Sequence, residues 1–168
     1  LNELVQQVNG EFAERFEGRN LDLICILQPE PLLIRADSRR IWRVLENLYV
    51  NVCKYAMPGT RVYVDAIKKD GKIQLSIKNI SENPLNFQAD ELTERFIRGD
   101  VSRSTEGSGL GLSIAKNLTV LQHGSFNIYL DGDLFKVTIT FDEAVKEKKP
   151  MPPMIVPEAV QEEAQQDA

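Results

Sequence analysis

The sequence predicts a two-layer α/β (α+β) sandwich, in which about three helices cover one face of a mixed, largely antiparallel sheet. Three observations support this fold class: helical apolar spacing in three segments, two-residue alternation in strand-length segments, and turn residues between paired strands. Of the 168 residues, 42% are hydrophobic and 27% charged, which is typical of one globular domain with a real core. The net charge of −5 disfavours nucleic-acid binding through a broad basic surface.

The first half of the chain is predicted to alternate helices with extended segments. Apolar residues recur at helical spacing before Gly18, and a mostly apolar run ends at Pro29. Asp37 is a suitable N-cap for a long helix, which the turn at Pro58 would end. The predicted elements are a helix over 2–17, a strand over 21–27, a short strand over 32–34 and a helix over 38–55.

The second half is predicted to contain two pairs of strands, separated by a long irregular segment and a helix. Asp70-Gly71 would form the turn of the first pair, and Gly132 lies between the strands of the second. The predicted elements are strands over 61–67 and 73–80, an irregular segment over 81–110 with a short helix near 88–95, a helix over 110–121, and strands over 125–130 and 134–141.

The composition changes after residue 142. The last 26 residues contain four of the eight prolines, no glycine and no aromatic residue, and end in a polar run. We therefore expect a folded domain over 1–142 and a disordered or weakly helical tail over 143–168.

Several classes of protein are excluded by simple counts. No apolar run approaches the ~18–20 residues that a bilayer-spanning helix needs. Cys25 and Cys53 lack the CxxC spacing of a structural zinc site, and a single histidine excludes multi-histidine metal chemistry.

The helix predicted over 38–55 carries two neighbouring stripes. One is apolar and should face the sheet; it consists of Ile41, Val44, Leu45, Leu48 and Val52. The other is polar and consists of Arg43, Asn47, Asn51, Lys54 and Tyr55. Carboxamide oxygens can ligate a hard cation such as Mg²⁺, a lysine can neutralise phosphate, and a tyrosine offers a flat face. The alternative interpretation is the solvated border of an amphipathic helix.

A glycine-rich segment precedes the helix predicted over 110–121, and it runs Gly107-Ser108-Gly109-Leu110-Gly111. Alternating glycines let backbone N–H groups approach an anion, and the following helix directs the positive end of its dipole at the same place. The spacing differs from both the Rossmann fingerprint and the P-loop. The pattern predicts a phosphate cradle, with a flexible loop before a helix as the alternative.

The segment between these features is too long for a simple connection, and such loops in compact domains are often lids. The guanidinium groups of Arg98 and Arg103 can each form a bidentate pair of hydrogen bonds with phosphate oxygens. Phe96 would anchor the segment as an apolar peg. We expect a lid over a phosphate site.

In this order, the three segments resemble the ATP-binding catalytic domain of sensor histidine kinases. Residues 47–55 look like that family's N box, Glu94–Phe96 with Arg98 like its F box, and residues 107–111 like its second glycine box. The resemblance runs from about residue 1 to 142, and the N box and second glycine box together are specific. It implies the nucleotide fold shared with gyrase, the ninety-kilodalton heat-shock chaperone and the mismatch-repair ATPases.

The resemblance also implies two cofactors, ATP and Mg²⁺, and roles for individual residues. Asn51 would hold Mg²⁺, with Asn47 and Lys54 beside the phosphates. Tyr55 would pack against the adenine, and Arg98 of the lid would approach the γ-phosphate. The remaining cofactor-binding positions would be Asn79, Arg103, Gly107, Ser108, Gly109, Leu110 and Gly111.

The family's first glycine box, D-x-G-x-G, is altered in this chain. Asn79 stands where the family's aspartate bonds the adenine amino group, and both glycines are absent from the stretch that follows. An asparagine oxygen still accepts a hydrogen bond, but loss of the ionised acceptor would weaken the contact by roughly 1 kcal/mol. We expect a reshaped adenine edge. The alternative is a pseudokinase of the same fold that binds nucleotide poorly and acts through protein contacts.

The position four residues before Asn51 separates kinases from hydrolases. Related hydrolases carry a general-base glutamate there, whereas this chain has Asn47, which takes no proton at neutral pH. Glu46 would point roughly 140° away around the helix. We therefore expect transfer to a histidine rather than hydrolysis. A serine kinase of the anti-sigma type is another alternative, which the histidine-kinase-like lid disfavours.

The phospho-accepting histidine is expected outside this chain, because His123 is the single histidine and lies in a predicted turn. We therefore expect a fragment of a longer sensor, monomeric by itself and homodimeric at full length. Its partners would be the histidine phosphotransfer/dimerisation domain of the same protein and a response regulator, with no nucleic acid. The resemblance further implies a cytoplasmic domain of a membrane-anchored bacterial sensor.

Overall fold

The computed structural model describes residues 1–85 and 110–144, in which three helices cover one face of a five-stranded sheet. In chain order the elements are α1 (Asn2–Gly18), β1 (Asp22–Leu27), α2 (Ser38–Tyr55), β2 (Arg61–Lys69), β3 (Lys72–Ile80), α3 (Gly111–Leu121), β4 (Ser125–Asp131) and β5 (Leu134–Asp142). The predicted fold class is confirmed, and each of these elements overlaps its predicted range.

The sheet is mixed, with strand order β1-β2-β3-β5-β4. β1 pairs with β2 in parallel, and the other three pairs are antiparallel. The turn between β2 and β3 has positive φ at both central residues, 51° at Asp70 and 71° at Gly71, which suits the right-handed twist of a hairpin. The order places β5 between β3 and β4.

Alternation along the strands decides which face of the sheet is covered. On β3, the side chains of Ile73, Leu75 and Ile77 are buried, and each faces a buried partner on β5. The predicted apolar stripe of α2 is buried as well. The core therefore lies between this face of the sheet and the helices.

Tyr49 of α2 fixes the position of α1. Its ring centroid lies 5.3 Å from that of Phe12 and 5.5 Å from that of Phe16, and its hydroxyl donates to Asn9 Oδ1. Tyr49 is fully buried, and this burial raises the pKa of its hydroxyl. The aromatic cluster holds α1 against the side of α2.

Two hydrogen-bonded contacts set the orientation of α3 against α2. At one end, Asp37 caps α2 through Oδ1, and its own N–H donates to Gln122 Oε1 at 2.7 Å. At the other end, Gly111 lies against Asn47. On each helix the two contacting residues are about 15 Å apart, at a rise of 1.5 Å per residue. Because the start of α2 lies beside the end of α3, the two helices pack side by side and antiparallel. The N-terminus of α3 therefore opens beside the last two turns of α2.

The prediction of a short strand over 32–34 is wrong. Ile34 makes only an isolated antiparallel bridge to Glu143, and the Leu32 N–H donates to Asn2 Oδ1 instead of to a ladder. Pro31 has no N–H to donate, and the apolar pattern that indicated a strand instead buries Leu32 in the core.

The backbone beyond β5 continues to pair for two residues. The Glu143 N–H donates to Gly71 O and the Ala144 N–H to Leu33 O, both at 2.9 Å. These two residues begin the predicted tail, whose remaining part lies outside the described residues, as does the helix predicted near 88–95. The domain boundary at 142 stays a prediction.

Candidate functional site

The polar stripe of α2 meets the start of α3 at Asn47. A Cβ built on Gly111 would lie 3.4 Å from Asn47 Oδ1 and 3.7 Å from its carbonyl oxygen. Asn47 Nδ2 donates to Arg43 O at 2.7 Å, which holds the carboxamide with Oδ1 toward Gly111. Gly111 at the start of α3 is therefore a close neighbour of the Asn47 side chain and backbone.

The rest of the stripe lies beyond the N-terminus of α3. Asn51 is one helical turn after Asn47 and on the same face of α2. Asn51 and Tyr55 are half-buried, and Lys54 is exposed. Because α3 begins beside Asn47, the positive end of its dipole points into the space that Asn51 and Tyr55 border.

The first residue of α3's entrance is Leu110, which is 40% exposed. Its carbonyl oxygen accepts from the Ile114 N–H at 2.9 Å and from Ser113 Oγ at 2.8 Å, so it begins the helical ladder. A leucine has no side-chain acceptor to cap the first N–H groups. This helix entrance suits an external anion.

Asn79 lies at the end of β3 and is only 3% exposed. Its Nδ2 donates to Ile80 O at 3.2 Å, whereas its buried Oδ1 has no hydrogen-bond partner in the described part of the chain. Leaving such an acceptor unpaired costs about 1–3 kcal/mol. The carboxamide is thus oriented with a free acceptor, which a ligand N–H group would satisfy.

Backbone contacts join the end of α2 to the end of β3. Ala56 and Ser81 form an antiparallel bridge. The Glu82 N–H donates to Tyr55 O and the Met57 N–H to Ile80 O, both at 2.8 Å. Tyr55 and Asn79 therefore belong to one hydrogen-bonded junction, although 24 positions separate them in the sequence.

Arg19 contacts this region, although no sequence pattern indicated it as a site residue. Its Nη2 donates to Ala56 O at 3.2 Å and to Glu82 Oε2 at 3.0 Å. The two side chains come from positions 63 residues apart; Arg19 belongs to no motif, and Glu82 occupies a variable position of the altered first glycine box. No local pattern could have indicated the pair.

The candidate residues divide into two groups. The structure brings Asn47 and Gly111 into contact, arranges Asn51, Lys54 and Tyr55 along the same edge of α2, and joins the Tyr55 end to Asn79. The other candidates lie outside the described residues: Arg98, Arg103, Gly107, Ser108 and Gly109.

The donor set near this edge is neutral or basic. Within 1–85 and 110–144, no group of three or more His, Cys, Asp and Glu side chains could hold a metal ion. Burial raises the pKa of the Cys53 thiol, which disfavours a reactive thiolate. The chemistry available here is therefore that of carboxamides, a lysine and backbone N–H groups.

Residues 36–145 match the family model of histidine kinase-, DNA gyrase B-, and HSP90-like ATPases. The match covers more than half of the chain, so the chain belongs to this family. The family resemblance that the N box and second glycine box indicated is confirmed.

Sensor histidine kinases are among the relatives of this chain. The signal transduction histidine-protein kinase BaeS of Escherichia coli is 31% identical over 123 residues, which cover 72% of this chain and 26% of BaeS. The sensor histidine kinase RppB of Synechocystis is 29% identical over 130 residues, covering 76% of this chain and 29% of RppB. The chain therefore spans between a quarter and a third of the length of these two relatives.

Solved structures share the fold. The nucleotide-free catalytic domain of histidine kinase ThkA superposes with a TM-score of 0.73 at 25% identity, covering 85% of this chain and 92% of that domain. A structure of ThkA in complex with the response regulator TrrA superposes with a TM-score of 0.69 at 24% identity, covering 86% of this chain and 40% of ThkA.

Among the helices of the described residues, none combines the length and the apolar character that a membrane span requires.

Proposed function

We propose that this chain is the ATP-binding catalytic domain of a sensor histidine kinase, which transfers the γ-phosphoryl group of MgATP to a histidine on a separate dimerisation domain. One observation carries the proposal: the contact between Asn47 and Gly111 brings the polar stripe of α2 to the entrance of α3. Two features that favour phosphate thus border one space.

The residues present fit a magnesium nucleotide. The free, buried Oδ1 of Asn79 suits the amino group of adenine, and the half-buried Tyr55 suits its ring. Asn51 would hold Mg²⁺ through a neutral oxygen, which suits an ion whose other ligands are phosphate and water oxygens. When bound, Mg²⁺ neutralises phosphate charge in the transition state.

Each side chain of the stripe has a distinct task in this proposal. Lys54 adds a positive charge beside the phosphates, and Asn47 keeps the start of α3 beside Asn51. Backbone N–H groups at Leu110 and Gly111 would bind phosphate oxygens. Arg98 and Arg103, with Gly107, Ser108 and Gly109, would complete the site from outside the described residues.

The stripe favours phosphoryl transfer over hydrolysis. Asn47 occupies the general-base position of related hydrolases, and its carboxamide takes no proton at neutral pH. The neighbouring Glu46 is exposed. Because the described stripe of α2 carries no base to activate water, a bound γ-phosphoryl group would be kept for an incoming side chain.

The proposal extends to partners and location. The histidine would come from the phosphotransfer/dimerisation domain of a homodimeric parent, and a response regulator would receive the phosphoryl group next. The complex of ThkA with TrrA supports this kind of partner. We place the domain on the cytoplasmic side of a membrane-anchored sensor.

A second candidate function is a nucleotide-binding module without kinase activity. The observation that favours it is the altered first glycine box, in which Asn79, Ser81 and Asn83 replace an aspartate and two glycines. Such a module would bind nucleotide poorly and act through protein contacts.

The two candidates are distinguished by calorimetry followed by a transfer assay. The chain is expected to bind MgATP in the micromolar-to-millimolar range, and Asn51→Ala is expected to abolish magnesium-dependent binding. The parent's histidine-bearing domain, added separately with γ-labelled ATP, should then acquire acid-labile phosphate.

Three other results would contradict histidine-kinase function. Very weak or absent nucleotide binding, with no transfer, would favour the binding module. Acid-stable phosphate would indicate a serine kinase, and rapid release of free phosphate a hydrolase. Asn127→Ala, an exposed carboxamide on β4, serves as the matched control and should leave binding unchanged.

A further inference from the structure

The residue that follows α1, Arg19, contacts the nucleobase end of the proposed site through its side chain. Arg19 Nη2 donates both to Ala56 O at 3.2 Å and to Glu82 Oε2 at 3.0 Å. Ala56 follows α2, and Glu82 follows β3 by two residues. One guanidinium thus joins three segments of the chain.

Both acceptors belong to the junction that holds Tyr55 and Asn79. Ala56 is bridged to Ser81, and the backbone N–H of Glu82 donates to the carbonyl of Tyr55. Any movement that separates these acceptors would change the spacing between the Tyr55 ring and the Asn79 carboxamide. The width of the nucleobase end therefore depends on this junction.

The loop that carries Arg19 is itself fixed to the turn after α2. Asn20 O accepts from the Gly59 N–H at 2.7 Å, and Asn20 has a φ of 53°. The Arg19 guanidinium also has its Nε buried. Both hydrogen bonds come from Nη2, whose two N–H groups lie in the guanidinium plane, whereas the ammonium of a lysine would rotate freely at the end of a flexible stem.

We propose that Arg19, together with Glu82, is a positioning clamp that sets the distance between Tyr55 and Asn79 and thereby selects for the nucleobase of the nucleotide. The inference rests on the proposed function, because it requires a base between these two residues. It concerns the stretch in which Ser81 and Asn83 replace the glycines of the family's first box, so the clamp belongs to this chain's altered adenine edge.

The ion pair itself contributes little energy to folding. The side chains of Arg19 and Glu82 are 37% and 46% exposed, and exposed pairs are weak. The effect of the clamp is expected in ligand binding, where a displaced acceptor loses its hydrogen bond to the base.

The test compares the binding of a ligand that contains a nucleobase with the binding of a ligand that lacks one. The 168-residue chain and its Arg19→Ala variant are titrated with Mg-ADP and with Mg-tripolyphosphate. We expect Arg19→Ala to weaken Mg-ADP binding about threefold to fivefold, because a clamp acts on the ligand with no more free energy than its own exposed contacts supply. Binding of Mg-tripolyphosphate should change by less than about twofold, because Asn51 and the entrance of α3 are untouched.

Equal weakening of both ligands by Arg19→Ala would overturn the clamp, since it would indicate a general loosening of the fold. Unchanged Mg-ADP binding would overturn it too. Glu82→Ala removes the ion pair while leaving the bond to Ala56, and it should reproduce the selective loss in part. Arg19→Lys should lie between the wild type and Arg19→Ala.

Lys72→Ala is the control, because Lys72 forms an ion pair with Asp142 at 3.0 Å, the same N···O distance as in the Arg19–Glu82 pair, and this control pair is more exposed. Lys72 begins β3 and lies about 26 Å along the strand from Ile80, at which β3 ends, so neither ligand should be affected. If the unsubstituted chain binds neither ligand, the phosphate site fails and the clamp fails with it. If the unsubstituted chain binds Mg-ADP and Mg-tripolyphosphate equally well, the phosphate site is supported. The clamp is then overturned, because the nucleobase adds nothing to binding.

Discussion

Asn79 has a carboxamide whose two ends lie in different surroundings. Its Nδ2 is bonded to Ile80 O, and its Oδ1 is buried and unpaired. A group that only stabilised the fold would not leave an acceptor in this state, because burial without a partner costs free energy. We therefore interpret Asn79 as a ligand-binding residue whose presence lowers the stability of the free chain.

Replacing Asn79 with leucine tests this interpretation. Asn79→Leu removes the unpaired acceptor, and Ile80 O keeps its bond from the Met57 N–H, so no new unpaired group is left. We expect the free energy of unfolding of the nucleotide-free chain to be unchanged or higher by about 1 kcal/mol. Binding of Mg-ADP should weaken about tenfold or more. Urea unfolding and calorimetry measure the two effects.

The control for this substitution is Ser76→Ala, on the same strand but facing the other side of the sheet, where Ser76 Oγ lies 3.4 Å from Thr138 Oγ1. It should leave Mg-ADP binding unchanged. A clear loss of stability in Asn79→Leu with nucleotide binding intact would identify Asn79 as a structural residue.

At the scale of elements, α3 is fixed at both ends. Gly111 at its start lies beside Asn47, and Gln122 after its end accepts from the N–H of Asp37. The connection to β4 then passes through His123, with a φ of 64°, and Gly124. His123 is exposed here, as expected for a residue of a surface turn.

Gly124 admits no side chain. A Cβ built there would lie 2.6 Å from Phe141 Cε1 and 2.9 Å from Thr119 Cγ2, and both neighbours are buried. We expect Gly124→Ala to lower the free energy of unfolding by about 1–3 kcal/mol through overpacking. Urea denaturation monitored by circular dichroism measures this.

Gly10 provides the opposite case in α1. A Cβ there meets nothing within 4 Å, and alanine favours the helix, so Gly10→Ala should stabilise the chain by about 1 kcal/mol. Destabilisation by Gly10→Ala, or tolerance of Gly124→Ala, would contradict the packing described around these two glycines.

The sequence predicted the elements well where local chemistry decides them. The Asp37 cap and the turn at Pro58 delimit α2 at the predicted residues, and 3.6-residue spacing separates its apolar stripe from the Asn47–Tyr55 stripe. It failed at Leu32–Ile34, because an apolar run bounded by prolines fits both a strand and a buried loop.

At the scale of the whole molecule, the sequence patterns could not predict which strands and side chains pair when they lie far apart in the sequence. Alternation indicates which side of a strand is buried, but it does not reveal that β5 lies between β3 and β4. The same limit applies to the Arg19–Glu82 pair, whose members contact each other only after the sheet and helices have assembled. By contrast, the family resemblance did predict that the polar stripe of α2 and the glycine-rich segment would lie at one site, and the structure places Gly111 beside Asn47.

The central claim is that the stripe of α2, the entrance of α3 and the end of β3 border a single nucleotide site. A titration of the ¹⁵N-labelled chain with Mg-ADP, followed by nuclear magnetic resonance, tests this claim most directly. The side-chain amides of Asn51 and Asn79 and the backbone amide of Gly111 are predicted to shift along curves with one common Kd, while the Asn127 amide on β4 stays unchanged. Shifts confined to one of these groups, different dissociation constants for them, or no shift at all would contradict a shared site.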